Sequence, residues 1–220
     1  MIKTQWNVGI LLYEGVDVLD YAGPYEVFTL SVYEEKDVPQ LLMKGFNKKE
    51  KPFIVKTFSQ FGDLITSNNG LKVKPDYSFE NVDDQFDIVI VPGGPLFSIK
   101  EVAKNKEILN WISDFHKSGK MVASVCSGAI LLAESGLLSG KKATTHWFAV
   151  DYMKSKYEEI EIVKNTRFVD QGNILTSAGV SAGIDMSLYI VEKLMGEEVA
   201  RITARTEDYP YWSETKRDKK

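Results

Sequence analysis

The chain has 220 residues, a formal charge of −4 and a single cysteine. One cysteine excludes an internal disulfide and a thiolate-rich metal site, and the scattered lysines and arginines argue against nucleic-acid binding. No apolar run approaches the roughly 20 residues of a membrane-spanning helix, and the first residues lack the pattern of a signal peptide, so we expect a cytoplasmic protein with no membrane partner.

Apolar, β-rich runs alternate with amphipathic stretches along the chain. The runs predict strands at 8–13, 53–58, 64–66, 71–74, 86–91, 121–125, 143–145, 161–164, 167–169 and 174–176, with a hairpin turn at 67–70. Helical spacing predicts helices at 21–33, 106–116, 127–134, 181–195 and 197–205. This alternation is typical of an α/β fold, a mainly parallel sheet with helices on both faces. We predict one domain over residues 1–220, with a polar surface loop at 44–51 and a charged, flexible tail at about 215–220.

Cys126 follows the apolar run 121–125 and precedes Ser127, Gly128 and a predicted helix. A strand, a nucleophile and small residues that open a helix are typical of a nucleophile elbow. Free N–H groups at the start of the helix would lower the pKa of the thiol and could hold a developing oxyanion. The alternative is that Cys126 is a small buried hydrophobic residue.

Three further segments follow predicted strands in the same way. Gly93 and Gly94 come after 86–91, where residues without side chains let the backbone approach a ligand. Asp20 lies near the start of the first predicted helix, where a carboxylate would also complement the helix dipole. His146 follows the short strand 143–145. Because sites in such folds gather at the carboxyl ends of strands, these segments are candidates for one site.

The ordered motifs resemble the ThiJ/PfpI superfamily, which shares its core with class I glutamine amidotransferases. They are LDYAGP (19–24), IVPGG (90–94), SVCSG (124–128), LAESGLL (132–138), ATTHW (143–147) and GNILTSAG (172–179). This resemblance covers nearly the whole chain and implies a flavodoxin-like, three-layer α/β/α sandwich. Within the superfamily the chain is most similar to the isonitrile hydratase branch, through LDYAGP, the hydroxyl residue after the nucleophile, and TTHW.

The resemblance also implies a chemistry. Cys126 would attack the carbon of an isonitrile, and Asp20 would act as acid and base while an N-substituted formamide forms. His146 is a third candidate catalytic residue. The residues implied to bind substrate or hold an oxyanion are Gly93, Gly94, Ser127 and Gly179. The implied partners are a small electrophilic substrate and a second copy of the chain in a homodimer, and no metal or organic cofactor is implied.

Two departures and two alternatives accompany this interpretation. The protease-like branch places histidine directly after the nucleophile, whereas this chain has Ser127, which argues against peptidase activity; isonitrile hydratase carries threonine there. Two alternative functions stay open. One is a glyoxalase-like or amidase-like cysteine hydrolase that uses Cys126, His146 and Asp20. The other is a non-catalytic ligand-binding or redox-sensing module. Regulators in the superfamily carry a helix-turn-helix region after this domain, and we expect too few residues after Met195 to hold one.

Overall fold

A central sheet organises the computed structural model, which describes residues 3–45, 50–82 and 86–210. The described strands are β1 (Trp6–Leu11), β2 (Phe53–Ser59), β3 (Ile65–Thr66), β4 (Lys72–Val73), β5 (Tyr77–Ser78), β6 (Ile88–Val91), β7 (Met121–Ser124), β8 (Lys142–Ala143), β9 (Glu161–Ile162), β10 (Phe168–Asp170) and β11 (Ile174–Ser177). Seven of them form the sheet in the order β10-β11-β7-β6-β1-β2-β5. All neighbours in it are parallel except β10 and β11.

Helices cover both faces of this sheet. They are α1 (Val18–Leu30), α2 (Val38–Lys44), α3 (Leu96–Val102), α4 (Lys106–Lys117), α5 (Ala129–Glu134), α6 (Val150–Lys156), α7 (Ala182–Met195) and α8 (Glu197–Thr206). Helix α1 packs against α7 and α8, while α3 and α4 pack against α5. In the described ranges, no helix has both the length and the apolar character to cross a membrane.

The central strands are buried because both of their faces are covered. All four residues of β6 and of β7 are buried, and β6 consists entirely of the β-branched residues Ile and Val. Apolar runs of this kind are typical of parallel strands between two helical layers. The predicted α/β/α sandwich with a mainly parallel sheet is therefore confirmed.

Several predicted elements differ in detail. The hairpin prediction is confirmed, since β3 and β4 pair antiparallel around a short 3₁₀ turn at Asn68–Gly70. Helix α1 begins at Val18 rather than at residue 21. The sequence prediction missed α2, α3 and α6, each only seven residues long and too short for a clear apolar period. The predicted tail at 215–220 and residues 46–49 of the predicted loop lie outside the described residues.

The parallel arrangement places four connections at one edge of the sheet. The segment from Tyr13 to Asp20 follows β1, Gly93 follows β6, Cys126 follows β7 and Gly179 follows β11. Because these four strands are adjacent and parallel, their carboxyl ends lie side by side. The segments that carry the candidate residues are thereby brought to one place.

Candidate active site

Cys126 lies at a sharp connection between β7 and α5. It opens a 3₁₀ turn at Cys126–Gly128, and its φ of 58° is in the left-handed region that residues with a side chain rarely adopt. Hydrogen bonds hold this backbone on both sides: the Cys126 N–H donates to the Ala178 carbonyl at 3.0 Å, and Thr145 Oγ1 donates to the Cys126 carbonyl at 2.9 Å. This conformation is that of a nucleophile elbow.

Gly128 permits the elbow to lie against the neighbouring strand. A Cβ atom at this position would be 2.3 Å from the carbonyl oxygen of Val91, which belongs to the rigid backbone of β6. Any side chain at residue 128 would therefore force the turn away from the sheet. This steric limit explains why a glycine is needed two residues after the cysteine.

Asp20 faces the thiol from the first turn of α1. Its side chain is fully buried; Oδ2 accepts a hydrogen bond from the Gly93 N–H at 3.0 Å, and within the described ranges Oδ1 has no hydrogen-bond partner. Burial and then the charge of Asp17 raise the pKa of Asp20 to about 7, and the bond from Gly93 and the thiol of Cys126 only partly offset this rise. The carboxyl group therefore titrates in the neutral range.

The thiol of Cys126 keeps its proton at neutral pH. Burial, followed by the charge of Asp20, raises its pKa to about 12. The backbone N–H groups of Val180 and Ser127 donate to the sulfur and act in the opposite direction. The sequence prediction of a lowered thiol pKa is thus wrong, because desolvation and a neighbouring carboxylate outweigh the amides at the start of the turn.

The comparisons with known proteins show the family of this chain. The family described as DJ-1/PfpI matches residues 7–193. The chain belongs to the DJ-1/PfpI family. An isonitrile hydratase from Pseudomonas putida is 30% identical over 92% of this chain and 78% of its own length. The Parkinson disease protein 7 homolog of Danio rerio is 33% identical over 73% of this chain and 90% of its own.

Solved structures of the DJ-1/PfpI family share the fold. A ThiJ/PfpI family protein from Pseudomonas syringae superposes with a TM-score of 0.78 at 26% identity, over 95% of this chain and 77% of that one. The resemblance drawn from the six sequence motifs is therefore confirmed at the level of the family.

Gly93, Gly94 and Ser127 join the loop after β6 to the elbow. Ser127 Oγ accepts from the Gly94 N–H at 3.0 Å and donates to the Gly94 carbonyl at 2.6 Å. The Gly93 N–H is bound to Asp20. Both glycine amides are thus used within the protein, and the amides directed at the sulfur are those of Ser127 and Val180. A Cβ on Gly93 would lie 2.7 Å from the Ser127 nitrogen and 2.8 Å from Asp20 Oδ2, so no side chain fits there.

His146 and Gly179 lie next to each other. A Cβ on Gly179 would be 2.2 Å from His146 Cδ2, so the glycine makes room for the imidazole ring. His146 Nδ1 accepts from the Phe148 N–H at 3.3 Å, which leaves Nε2 to carry the proton in the neutral ring. Burial lowers the pKa of His146 despite the charge of Asp17, so the ring is neutral at pH 7. A cavity of about 540 Å³ is lined in part by His146, Gly179 and Val180, and neither Cys126 nor Asp20 is among its lining residues.

The structure adds three site residues that the sequence did not single out. Asp17 lies three residues before Asp20, and its Oδ1 accepts from Asn68 Nδ2 at 2.9 Å. The Tyr13 hydroxyl donates to the Pro92 carbonyl at 2.6 Å, and burial followed by the charges of Asp20, Cys126 and Asp17 raises the Tyr13 pKa. Val180 has a φ of 40°, which nothing in the sequence predicts for a β-branched residue. The spacing of Asp17 and Asp20 was the one available signal, since residues three apart at a helix start share a face.

Asp17, Asp20 and Cys126 form the most concentrated acidic group of the site. One oxygen of each carboxylate and the sulfur atom lie within 4.8 Å of one another, a spacing that a bound cation would also require. The sequence implies no metal, and the reaction proposed below uses none. At this distance the charge of Asp17 raises the pKa of Asp20 and of Cys126, and the charge of Asp20 raises the pKa of Cys126.

Proposed function

We propose that the protein is a cysteine-dependent hydratase that converts a small isonitrile into an N-substituted formamide. The observation that supports this most directly is a protonated thiol and a carboxyl group of neutral pKa, buried face to face with two amides directed at the sulfur. A relative named isonitrile hydratase is 30% identical over 92% of this chain, and it indicates the substrate class.

The first step of the proposed reaction forms a carbon–sulfur bond. Ionised Asp20 takes the thiol proton as Cys126 Sγ attacks the terminal carbon of the isonitrile. Asp20 then gives that proton to the same carbon, so the product is a thioimidate with the connectivity S–CH=N–R. The amides of Ser127 and Val180 stabilise the negative charge that develops on sulfur during this transfer.

The second step consumes one water molecule. Asp20 accepts a proton from the water as the water oxygen adds to the thioimidate carbon, and Asp20 then gives this proton to the nitrogen. The carbon–sulfur bond breaks as the new hydroxyl group becomes the formamide carbonyl, and the hydroxyl proton passes to the sulfur, so the thiol is restored and the formamide leaves. We assign His146, which lines the neighbouring cavity, to orienting the substrate rather than to the proton transfers, because His146 is not among the groups that shift the pKa of Cys126.

This arrangement suits a thiol that is deprotonated only during attack. A thiol of pKa about 12 is almost entirely protonated at pH 7, and peroxide oxidises the thiolate. The raised pKa of the thiol therefore supports the hydratase over the redox-sensing alternative.

The test is a direct assay on the purified full chain. Incubation with a small alkyl isonitrile should yield the formamide, detected by mass spectrometry, and an acid-quenched sample should show a protein adduct of one isonitrile mass on Cys126. Methylglyoxal and a simple amide serve as competing substrates. Turnover of either competitor without isonitrile hydration would replace this proposal with the cysteine-hydrolase alternative.

The predicted homodimer remains a proposal as well. Leu19 and Tyr25 are exposed on α1, and Leu42 and Met43 are exposed on α2. Leu19 and Leu42 line one surface cavity, and apolar residues that are exposed together often mark contact surfaces. Light scattering of the full chain should give twice the monomer mass of 24.8 kDa; a monomer across a range of concentrations would contradict it.

A further inference from the structure

Asp17 is the partly exposed carboxylate of the site. Asp20 is fully buried and Cys126 nearly so, whereas Asp17 retains contact with solvent. Its position is held from two sides: the Asp17 N–H donates to the Gly93 carbonyl at 2.9 Å, and Oδ1 accepts from Asn68 Nδ2 at 2.9 Å. A carboxylate fixed in this way presents its charge at a constant place relative to the sulfur.

No basic side chain neutralises this charge in the described ranges. Ion pairs occur throughout these residues, and Asp17 takes part in none of them. The charges that act on Tyr13, Asp20 and Cys126 come from acidic groups alone, and His146 is neutral at pH 7. When Asp20 is ionised, two carboxylates lie within 4.8 Å of the sulfur.

We infer that Asp17 makes this site selective for cationic substrates, so that the preferred isonitrile carries a positively charged substituent and an anionic one is rejected. The inference rests on the proposed hydratase function and specifies its substrate class. Its physical basis is Coulombic: an Asp17 oxygen lies within 4.8 Å of Sγ, so a charge carried by a substrate bound at Sγ interacts with Asp17 in a partly buried place where water screens the interaction weakly.

An isosteric pair of substrates isolates the charge. A trimethylammonium group and a tert-butyl group have nearly the same shape, so 2-isocyanoethyl-trimethylammonium and 3,3-dimethylbutyl isocyanide differ mainly by one positive charge. We expect kcat/KM to favour the cation by between about tenfold and a hundredfold at low salt, and this ratio to fall as salt is added. A ratio near one, or a preference for the neutral compound, would overturn the inference.

Two variants assign the preference to Asp17. Asp17→Asn keeps an oxygen that can accept from Asn68 and should reduce the ratio at least about fivefold. Asp63→Asn removes the same charge from an exposed loop and should leave the ratio unchanged. Equal ratios in Asp17→Asn and the parent would assign the preference elsewhere and refute the role of Asp17. If Asp17 had a merely structural role, its substitution would change kcat/KM by the same factor for both substrates.

A third measurement separates this inference from the proposed function. Methanethiosulfonates convert a thiol into a mixed disulfide and release methanesulfinate, so they report on Cys126 without any hydratase activity. Relative to free cysteine, the trimethylammonium-ethyl reagent should label Cys126 faster than the sulfonatoethyl reagent, and Asp17→Asn should reduce the difference. Cation-selective labelling without isonitrile turnover would refute the hydratase and retain the cationic pocket. Hydration without charge preference, or no labelling by the cationic reagent, would refute the inference.

Discussion

The Gly93 N–H donates to Asp20 Oδ2 at 3.0 Å, and this bond links the loop after β6 to the first turn of α1. This backbone hydrogen bond favours the ionised form of Asp20. Burial and the charge of Asp17 nevertheless prevail, and the carboxyl group titrates at about pH 7 beside a thiol that titrates at about pH 12.

Cys126→Ala should abolish turnover while the fold is retained, because the side chain supplies the nucleophile and fills little volume. We expect kcat to fall at least about a thousandfold. Cys126→Ser is the matched variant, since it retains a hydroxyl that is a much weaker nucleophile. Circular dichroism and a formamide assay check both, and residual turnover near the parental rate in either variant would exclude covalent catalysis by Cys126.

Asp20→Asn should show how strongly the charge of Asp20 affects the pKa of the Cys126 thiol. Removing the carboxylate removes the second largest cause of the raised thiol pKa, so the pKa of Cys126 should fall and alkylation by neutral iodoacetamide at pH 8 should accelerate. Turnover should fall about a hundredfold or more, because the base is lost. Since the chain has one cysteine, intact mass reports alkylation of Cys126 alone. Slower alkylation in Asp20→Asn would contradict the electrostatic coupling.

The pH dependence of kcat/KM should be a rise that levels off above about pH 7. The ionised form of Asp20 is the base that receives the thiol proton, and it is populated above the Asp20 pKa of about 7. The thiol remains protonated until about pH 12, so no decline from its ionisation is expected in the assay range. Measurement between pH 5 and pH 9, corrected for isonitrile stability, checks this. A decline above pH 7 would instead assign protonated Asp20 to the active form.

The stability of the fold should decrease between about pH 4 and pH 7. Below the ordinary pKa of 3.8 both folded and unfolded forms of Asp20 are protonated; above it the unfolded chain loses the proton while the folded chain keeps it up to about pH 7. The folded state therefore loses on the order of 2 to 4 kcal/mol from this group over that window, and the loss is constant at higher pH. Chemical denaturation at pH 4, 6 and 8 should show that Asp20→Asn flattens this part of the curve.

Glu207 offers a control for that measurement. Burial, then the charge of Glu26, raises its pKa to about 7 as well, on α8's C-terminal side rather than among the residues of the site. Glu207→Gln should flatten the stability curve over the same pH range and leave turnover unchanged. Identical pH curves for the parent and Asp20→Asn would show that Asp20 is not protonated in the folded state at neutral pH.

Ser127→Ala should destabilise the loop after β6. The hydroxyl accepts from the Gly94 N–H and donates to the Gly94 carbonyl, and its removal leaves both buried groups without that partner. We expect a loss of about 1 to 3 kcal/mol in the free energy of unfolding and a lower kcat. Ser127→Thr retains the hydroxyl and should preserve both properties more closely than Ser127→Ala. Equal effects of the two substitutions would exclude a role for the hydroxyl bonds.

The fold class and much of the site could be predicted from local patterns. The apolar runs of β6 and β7 are long and β-branched enough to identify buried parallel strands, and parallel strands align their carboxyl ends. Cys126, Asp20, Gly93 and Gly94 each follow or adjoin such a strand, so their convergence follows from topology. The sequence analysis did not predict the short helices α2, α3 and α6, because seven residues show too little of the helical period. Helices of this length depend on tertiary packing for their stability.

The sequence by itself determined which residues reach the carboxyl edge of the sheet: a single cysteine at an elbow, a carboxylate in the first turn of a helix, and glycines where backbone must approach backbone. Only the tertiary structure decided their ionisation, because pKa values depend on burial and on neighbours distant in sequence. In the structure the pKa of Cys126 is raised rather than lowered, and the Gly94 N–H donates to Ser127 instead of being free for a ligand. The Val180 N–H, which donates to the sulfur, and the nearby charge of Asp17 are contributions that the sequence did not indicate. Local sequence contains neither the depth of a side chain nor the distance between two charges, and those two quantities set the chemistry of this site.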